Sequence, residues 1–343
     1  MRLQELLVWP VMALVLAGCA HRPSVEVQRF EFTEPQMGVP FRLVFYAQNA
    51  ETATRAARNA YARVSELNQI FSDYETDSEL NRFSRTSGSG KEVVLSRELF
   101  EVLSMAQQRA KESDGAFDVT VGPVITLWRK ARREQKLPEP ARLTNALDRV
   151  GWRKLTLNPR AHTGSLAVPN MHLDLGGIAK GYALDAALAV LKAHGCSKAL
   201  VTGSGDMAVG DPPPARAGWT IALDRPAGAA NSPARSLLLK NCGFATSGDS
   251  SQNLMSGGVR YSHIVNPKTG LGLTDHSLVF VVARNAVTAD SLSTTLSVLG
   301  GVATKKAAPY LPLLAYCLFQ WQDSSWTTFE SPSFARYAVG RTP

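Results

Sequence analysis

The chain has 343 residues, a net charge of +8, a hydrophobic fraction of 45% and 4 cysteines. This length is enough for one large domain or for two packed lobes with a hydrophobic core. The cysteines are few and widely scattered, which argues against a disulfide framework and against a CxxC-type zinc site, although one disulfide remains open.

The N-terminal residues predict export and a lipid anchor. An apolar run over residues 6–18 is too short to span a bilayer comfortably as a helix, and the sequence LAGC that ends at Cys19 fits the bacterial lipobox. This pattern predicts cleavage before Cys19 and lipid on its sulfur; an ordinary secretory signal and a buried helix are the alternatives. Ala20, rather than an aspartate, favours the outer membrane over the inner one by analogy with bacterial sorting.

We therefore predict a signal peptide, a tether and a folded domain, and a location on the cell envelope. Residues 1–18 form a lipoprotein signal peptide, residues 19–30 a short tether, and residues 31–343 the folded domain. The mature protein is expected on the bacterial cell envelope, facing the periplasm and attached to a membrane through its lipid. No later segment is apolar enough to predict a membrane-spanning helix.

Strand and helix patterns follow one another in blocks of unequal length. Alternating or continuous apolar runs predict strands over residues 41–47 and within 198–205, 219–224, 236–248 and 277–284. Apolar spacings of three and four predict helices over Glu51–Ile70, over Arg97–Lys111 with Ser96 as its cap, over Gly177–His194 and over Thr288–Leu299. The unequal blocks favour an α+β or mixed α/β organisation over a regular βαβ series.

A basic cluster lies near the middle of the chain and comprises Arg129, Lys130, Arg132 and Arg133. We expect these residues to form a solvated helix face. Attraction to anionic lipid is a weaker alternative, and nucleic acid is weaker still because the chain is predicted to be exported.

The segment DLGGIAKGYALD, residues 174–185, has three glycines and a lysine at a predicted strand-to-helix junction. Such junctions bind phosphates, because the first backbone N–H groups of a helix lack partners and the helix dipole favours anions. The pattern is neither GxGxxG nor a Walker sequence, so the ligand stays open at this point.

The segment VTADSLSTTLSVLG, residues 287–300, places Asp290 and Thr294 on one side of a predicted helix. A carboxylate and a hydroxyl suit Mg²⁺, which takes few protein ligands and completes its octahedron with waters and phosphate oxygens. The structural alternative is that Thr288 or Asp290 caps the helix and Thr294 bonds a backbone carbonyl. Taken alone, this segment favours the structural alternative.

His263 lies in RYSHIVNPKTG at the end of a predicted strand, just before a turn marked by Asn266, Pro267 and Gly270. A histidine in this position can act as a general base near neutral pH, and a half-buried structural histidine is equally common. The sequence contains no GxSxG, HExxH or Cys–His pairing of recognisable spacing, so a hydrolase nucleophile or a zinc site lacks support.

Two further segments carry candidate residues in settings that also have ordinary structural explanations. Asp118 interrupts an apolar run in GAFDVTVGP. FSDYETDSELNRF combines Tyr74 with a capping-box arrangement from Thr76 to Glu79, which predicts the start of a helix.

Taken in order, eight segments resemble the ApbE family, the bacterial FAD:protein FMN transferases. They are QMGVPFRLVFYA, FSDYETDSELNRFSR, GAFDVTVGPVITLW, DLGGIAKGYALD, GSGDMAVG with WTIALDRP, ATSGD, RYSHIVNPKTG and ADSLSTTLSVLG. The resemblance covers roughly residues 30–335 and implies a two-lobed α+β domain of mixed sheets and packed helices with a flavin site between the lobes.

The resemblance implies a Mg²⁺-dependent enzyme that takes FAD as a substrate. It joins the FMN half to a Ser or Thr hydroxyl of a partner protein through a phosphoester, and AMP leaves. The implied partners are membrane-associated redox subunits that carry a short Asp-x-Ser/Thr-Gly-Ala-Ser/Thr segment. The chain has no such segment, so we do not expect it to modify itself.

The resemblance implies a role for each residue of this sequence that matches a functional position of the family. Asp290 and Thr294 match two metal ligands, and Gly177 matches a third, for which only its backbone carbonyl is available. His263 matches the catalytic position and is our choice of general base. The resemblance also implies a set of FAD-lining residues: Met37, Tyr74, Glu79, Leu80, Asn81, Asp118, Lys180 and Ile264.

The sequence departs from the family pattern at three places. The usual Met-Gly-Thr reads Met37-Gly38-Val39, the usual Ser-Thr-Tyr reads Ser72-Asp73-Tyr74, and the usual paired glycines read Ser204-Gly205. These changes spare the predicted metal ligands and His263, so we expect activity to survive; flavin affinity and partner preference are the properties that they could alter. A Mg²⁺-dependent FAD pyrophosphatase that gives FMN and AMP is the nearest alternative, and a non-catalytic flavin-binding lipoprotein is a more distant one.

Overall fold

The structure is a computed structural model that describes residues 26–224, 235–248, 253–307, 315–322 and 325–339. The predicted signal peptide, Cys19 and most of the predicted tether lie outside the described residues. Residues 28–30, predicted to belong to the tether, already form the start of the first strand. Within the described ranges, no helix combines the length and the apolar character needed to cross a membrane.

The strands and helices have the following bounds. The strands are β1 (Gln28–Gln36), β2 (Val39–Ala47), β3 (Val93–Val94), β4 (Leu155–Asn158), β5 (Thr163–Leu166), β6 (Ala199–Gly203), β7 (Asp206–Val209), β8 (Trp219–Ala222), β9 (Ser236–Leu239), β10 (Cys242–Gly248), β11 (Asn253–Ser256), β12 (Val259–Ser262), β13 (Ser277–Ala283), β14 (Ala315–Gln322) and β15 (Ser325–Glu330). The α-helices are α1 (Ala50–Phe71), α2 (Glu79–Ser84), α3 (Arg97–Glu112), α4 (Gly122–Glu134), α5 (Pro140–Leu147), α6 (Ala179–Ala193), α7 (Ala286–Ala307) and α8 (Pro332–Ala335), and short 3₁₀ turns lie at Val119–Val121 and Trp152–Lys154.

An eight-stranded sheet in the order β1-β2-β6-β7-β10-β13-β14-β15 organises the fold, and every neighbouring pair in it is antiparallel. The strands β3, β5 and β4 form a separate three-stranded sheet, and β8–β9 and β11–β12 form two hairpins. Antiparallel sheets with helices packed on them confirm the α+β prediction.

The large sheet has a hydrophobic core on each face. Phe41, Leu43 and Phe45 alternate along β2 and pack with α1 and α6 on one side. Val44 points the other way and belongs to a second cluster that includes Trp219 of β8. The sheet is therefore the middle layer, with α1, α6 and α7 covering one face of it.

Helices α6 and α7 cross at Gly181. A Cβ atom built there would lie 2.4 Å from the carbonyl oxygen of Ala286, so a larger residue would force the helices apart. This close crossing brings the first turn of α6 next to the first turns of α7, which is where the candidate site lies.

The predicted helices are present, with differences at their ends. Ser96 caps α3 as predicted, accepting from the backbone N–H of Leu99 at 3.2 Å. The predicted capping box from Thr76 to Glu79 is wrong, because the hydroxyl of Ser78 caps α2 by accepting from the N–H of Asn81. Helix α7 begins two residues before Thr288 and continues past a kink at Gly300, where φ is 69°.

A smaller hydrophobic cluster joins α4 and α5 to the β11–β12 hairpin. Trp128 of α4 lies at its centre, packs against Tyr261 with ring centroids 5.5 Å apart, and donates from Nε1 to the carbonyl of Gly270 at 2.7 Å. The turn that follows His263 is therefore fastened to α4. The cysteines Cys196, Cys242 and Cys317 are buried and free, so no disulfide forms among them.

Candidate active site

A cleft of about 1190 Å³ lies along the ends of β7, β10, β13 and β14 and is also lined by α4 and the first turns of α6 and α7. Eight of the residues predicted from the sequence line it: Tyr74, Asp118, Gly177, Lys180, His263, Ile264, Asp290 and Thr294. The other four described candidates, Met37, Glu79, Leu80 and Asn81, are not among the lining residues.

Gly177 and Thr294 are immediate neighbours in the cleft. A Cβ atom built on Gly177 would lie 2.9 Å from Oγ1 of Thr294, so the absence of a side chain keeps the space beside that hydroxyl open. The neighbouring hydroxyls of Ser293 and Thr295 donate to carbonyls of their own helix at 2.9 and 2.6 Å. Across the described ranges the hydroxyl of Thr294 has no such partner, so the structural alternative, in which it bonds a carbonyl of its own helix, is wrong.

The start of α7 is capped by residues other than those expected. The carboxylate of Asp185 accepts from the N–H groups of Ala286 and Val287, both at 2.9 Å. The side chain of Asn285 accepts from the N–H of Thr288 at 3.2 Å. Asp290 therefore does not cap its own helix, and its carboxylate lies buried in the lining of the cleft.

Lys180 is held between two buried carboxylates. Its Nζ lies 3.2 Å from Oδ2 of Asp206 and 3.8 Å from Oδ1 of Asp290. The other oxygen of Asp290 accepts from the backbone N–H of Gly181 at 2.9 Å, and Oδ1 of Asp206 accepts from the N–H of Thr246 at 3.2 Å. Asp206 was not predicted from the sequence, although it follows the Ser204-Gly205 turn directly.

These three groups shift one another's pKa values. Burial raises the pKa of Asp206 to about 7 and also raises the pKa of Asp290. Burial would lower the pKa of Lys180, but the charges of Asp290 and Asp206 together outweigh it and raise that pKa. Two carboxylates and one ammonium leave a net negative charge when all are ionised, which favours an additional cation nearby.

The arrangement fits a metal held by mixed oxygen donors. No group of three or more His, Cys, Asp or Glu side chains suited to a metal occurs among the described residues. A cation here would instead take the carboxylate of Asp290, the hydroxyl of Thr294 and the carbonyl of Gly177. A hard cation that keeps waters or substrate oxygens in its remaining positions suits such a donor set.

Tyr74 lies at the cleft wall with 75% of its surface exposed, and the guanidinium of Arg129 covers its ring at 4.2 Å from the centroid. Arg129 is also ion-paired with Asp73 and, at 2.8 Å, with Asp174. The prediction of a solvated basic face is therefore wrong for Arg129, and Arg132 also lines the cleft. Lys130 and Arg133 are exposed.

Three of the candidates outside the cleft lining have structural roles, and one of them holds the loop that carries Tyr74. Leu80 is fully buried in the core. The carboxylate of Glu79 accepts from the N–H of Ser96 at 2.7 Å. The side chain of Asn81 donates to the carbonyls of residues 72, 73 and 75, the last at 2.9 Å, and so holds the loop that carries Tyr74.

Met37 occupies the β1–β2 turn with a φ of 49° and packs against the core, while its near neighbour Val39 lines the cleft. Asp118 is buried in the lining and accepts from the N–H and the hydroxyl of Thr120 at 2.8 and 2.7 Å. Burial raises the pKa of Asp118. The structure thus gives Asp118 both a backbone-fixing contact and a position in the cleft.

The fold and the cleft define an α+β protein with a large cleft that charged, polar and apolar side chains line. The ApbE family model matches residues 37–317. The chain is 30% identical over 333 residues to the FAD:protein FMN transferase of Haemophilus influenzae, with 95% of each chain covered. It matches that of Treponema pallidum with 30% identity over 308 residues and 84% of each chain covered.

Solved structures agree with these sequence matches. The flavin transferase ApbE from Vibrio cholerae has a TM-score of 0.82 at 26% identity, covering 91% of this chain and 100% of that one. The ApbE protein from Thermotoga maritima has a TM-score of 0.80 at 26% identity, covering 90% and 99%. The chain therefore belongs to the ApbE family, and the resemblance noted in its sequence is confirmed.

Proposed function

We propose that this protein is a Mg²⁺-dependent FAD:protein FMN transferase that attaches FMN from FAD to a Ser or Thr of a target redox protein. The observation that carries this proposal is the convergence of Gly177, Asp290 and Thr294 in a cleft that His263 also lines. Family membership supports the same activity, since the relatives matched over most of their length bear this name.

The proposed metal ligands are the carbonyl of Gly177, the carboxylate of Asp290 and the hydroxyl of Thr294. Mg²⁺ bound there would neutralise charge on diphosphate oxygens and help to align the phosphorus for attack. Lys180 lies beside this set and adds a fixed positive charge, which Asp206 holds in place at 3.2 Å. We assign these residues to binding of the diphosphate of FAD.

The proposed transfer exchanges one phosphorus–oxygen bond for another. The acceptor hydroxyl forms a bond to the phosphorus of the FMN half, and the bond from that phosphorus to the AMP oxygen breaks. His263 takes the proton of the hydroxyl, which is a weak nucleophile at neutral pH. AMP leaves with the electron pair of the broken bond.

The flavin end of the substrate is assigned to the wall that carries Tyr74. Its ring is exposed on the side away from Arg129, so a planar ring system can stack on it. Asp118 and Ile264 line the same cleft. The Asn81 contacts fix the Tyr74 loop, so Asn81 acts on this wall through the backbone.

The transferase is tested by mass spectrometry of an acceptor protein that carries an Asp-x-Thr-Gly-Ala-Thr segment. Incubation with the protein lacking its signal peptide, FAD and Mg²⁺ is expected to add one FMN to a Thr of that segment, and EDTA to prevent it. Release of free FMN and AMP without an adduct would favour a pyrophosphatase. Bound, intact FAD without either product would contradict both enzymes and indicate a flavin carrier.

We also propose that the protein is anchored by lipid on Cys19 and faces the periplasm, with the outer membrane favoured. The lipobox-like sequence supports this. Wild-type protein is expected in the membrane fraction, whereas Cys19→Ser should no longer receive lipid. Cells are labelled with a radioactive fatty acid. Label in both wild type and Cys19→Ser, or in neither, would contradict the assignment of Cys19.

A further inference from the structure

One face of α4 forms a wall of the cleft. Val121, just before the helix, and Ile125, Arg129 and Arg132 within it all line the cleft. Their spacings of four, four and three residues are those of a single helix face. The wall therefore changes along its length from apolar to basic.

The two arginines on this wall differ in their partners. Arg129 is ion-paired with both Asp73 and Asp174, so its charge is balanced within the protein. Arg132 is half-buried, and across the described ranges its guanidinium has no ion-pair or hydrogen-bond partner, although its backbone carbonyl accepts from Nε2 of Gln135 at 2.7 Å. Burial lowers the pKa of Arg132, the nearby Tyr74 phenol partly offsets this effect, and the charge of Arg129 lowers the pKa further. A guanidinium stays charged under these conditions, so Arg132 is a cation that no carboxylate of the described residues pairs with.

Arg132 lies towards the outer end of the wall. The first turn of α4 is buried, whereas Arg133 and Glu134 at its other end are exposed. Arg132 is three residues beyond Arg129, which corresponds to about 4.5 Å along the helix axis. The proposed metal ligands belong to the segment before α6 and to α7, and Arg129 is the α4 residue that contacts Asp174 near that segment. Arg132 is therefore about one turn beyond Arg129, towards the exposed end of α4.

We propose that Arg132 is a binding residue for the acceptor protein and receives a carboxylate side chain close to the hydroxyl that accepts FMN. This inference rests on the proposed transferase function, because only a transferase admits a protein segment to the cleft. The planar guanidinium matches a carboxylate through two parallel hydrogen bonds, which gives direction as well as attraction. A carboxylate bound there would hold the acceptor segment at the cleft mouth.

The test compares Arg132→Gln with wild type, using two acceptor proteins that carry the Asp-x-Thr-Gly-Ala-Thr segment with its aspartate intact or replaced by asparagine. With the aspartate present, the variant is expected to raise the KM for the acceptor about ten-fold or more and to leave the KM for FAD unchanged. With asparagine, wild type and variant should differ little, because the interaction has already been removed. Higher salt should raise the acceptor KM of wild type more than that of the variant.

Arg133→Gln is the matched control, since it removes the same charge from an exposed neighbour that does not line the cleft. It should leave both KM values unchanged. Equal effects of Arg132→Gln on the two acceptors would overturn the inference, and a raised KM for FAD would assign Arg132 to an FAD phosphate instead. If wild type modifies neither acceptor, the proposed function fails and this inference fails with it.

Discussion

Replacing His263 with alanine is expected to slow the transfer of FMN by about 10²- to 10⁴-fold while leaving the affinity for FAD nearly unchanged. His263 follows β12 directly and lines the cleft that contains Asp290 and Thr294. Its loss removes the proposed acceptor of the hydroxyl proton but none of the groups that we assign to FAD phosphate or metal binding. Single-turnover transfer rates and titration of FAD fluorescence measure the two quantities separately.

The fold should tolerate this substitution, because the segment around His263 is fixed by its backbone. The N–H of Leu273 donates to the carbonyl of Ile264 at 2.9 Å. The N–H of Gly270 donates to the carbonyl of Asn266 at 2.8 Å. His194→Ala is the matched control, as it removes an imidazole at the end of α6 that does not line the cleft. Added imidazole should restore part of the transfer rate of His263→Ala only. Loss of FAD binding in His263→Ala would give His263 a structural role and contradict its assignment as the base.

Local patterns were sufficient to predict several elements and their caps. The helix over residues 51–70 and the helix capped by Ser96 are present because periodic apolar residues and a capping hydroxyl act over one or two turns. The structural alternative for Thr294, a bond to its own helix, could be rejected only from a long-range contact. Among the residues that the structure describes, its hydroxyl has no hydrogen-bond partner, and it lies beside Gly177, a neighbour that only the crossing of α6 and α7 supplies.

The charged part of the site depends on contacts between distant segments. Asp206 begins a strand, Lys180 lies in α6 and Asp290 in α7, and no local pattern indicates that these three would meet. Arg129 looked solvated in a run of basic residues because its partners, Asp73 and Asp174, come from two other parts of the chain. Asp73 stands where the family pattern has Thr, so this departure coincides with an ion pair that supports the Tyr74 wall.

The Asp290→Asn variant is expected to raise the Mg²⁺ concentration needed for half-maximal transfer at least about ten-fold. Asp290 supplies the only carboxylate among the three proposed ligands, so its charge dominates their attraction for the cation. The asparagine oxygen can still accept from the N–H of Gly181, which Asp290 does at 2.9 Å, so the crossing of α6 and α7 should be kept. Transfer rates measured across a series of Mg²⁺ concentrations test this.

Asp290→Ala removes that acceptor as well and should be only partly rescued by excess Mg²⁺. Asp185→Asn is the matched control, because Asp185 is another α6–α7 carboxylate that accepts two backbone N–H groups but does not line the cleft. It should leave the Mg²⁺ requirement unchanged even if it lowers stability. If Asp290→Asn transfers FMN as fast as wild type at low Mg²⁺, the metal assignment is wrong.

The pH dependence of the Mg²⁺ requirement separates a metal ligand from a residue that only shapes the site. Burial raises the pKa of Asp290 above its ordinary value. Protons therefore compete with Mg²⁺ for this carboxylate over a higher pH range than usual, and wild type should need more Mg²⁺ as the pH falls. The asparagine side chain does not titrate, so Asp290→Asn should need much Mg²⁺ at every pH and show a weaker pH dependence. An equal pH dependence in the two proteins would mean that the competing proton binds elsewhere.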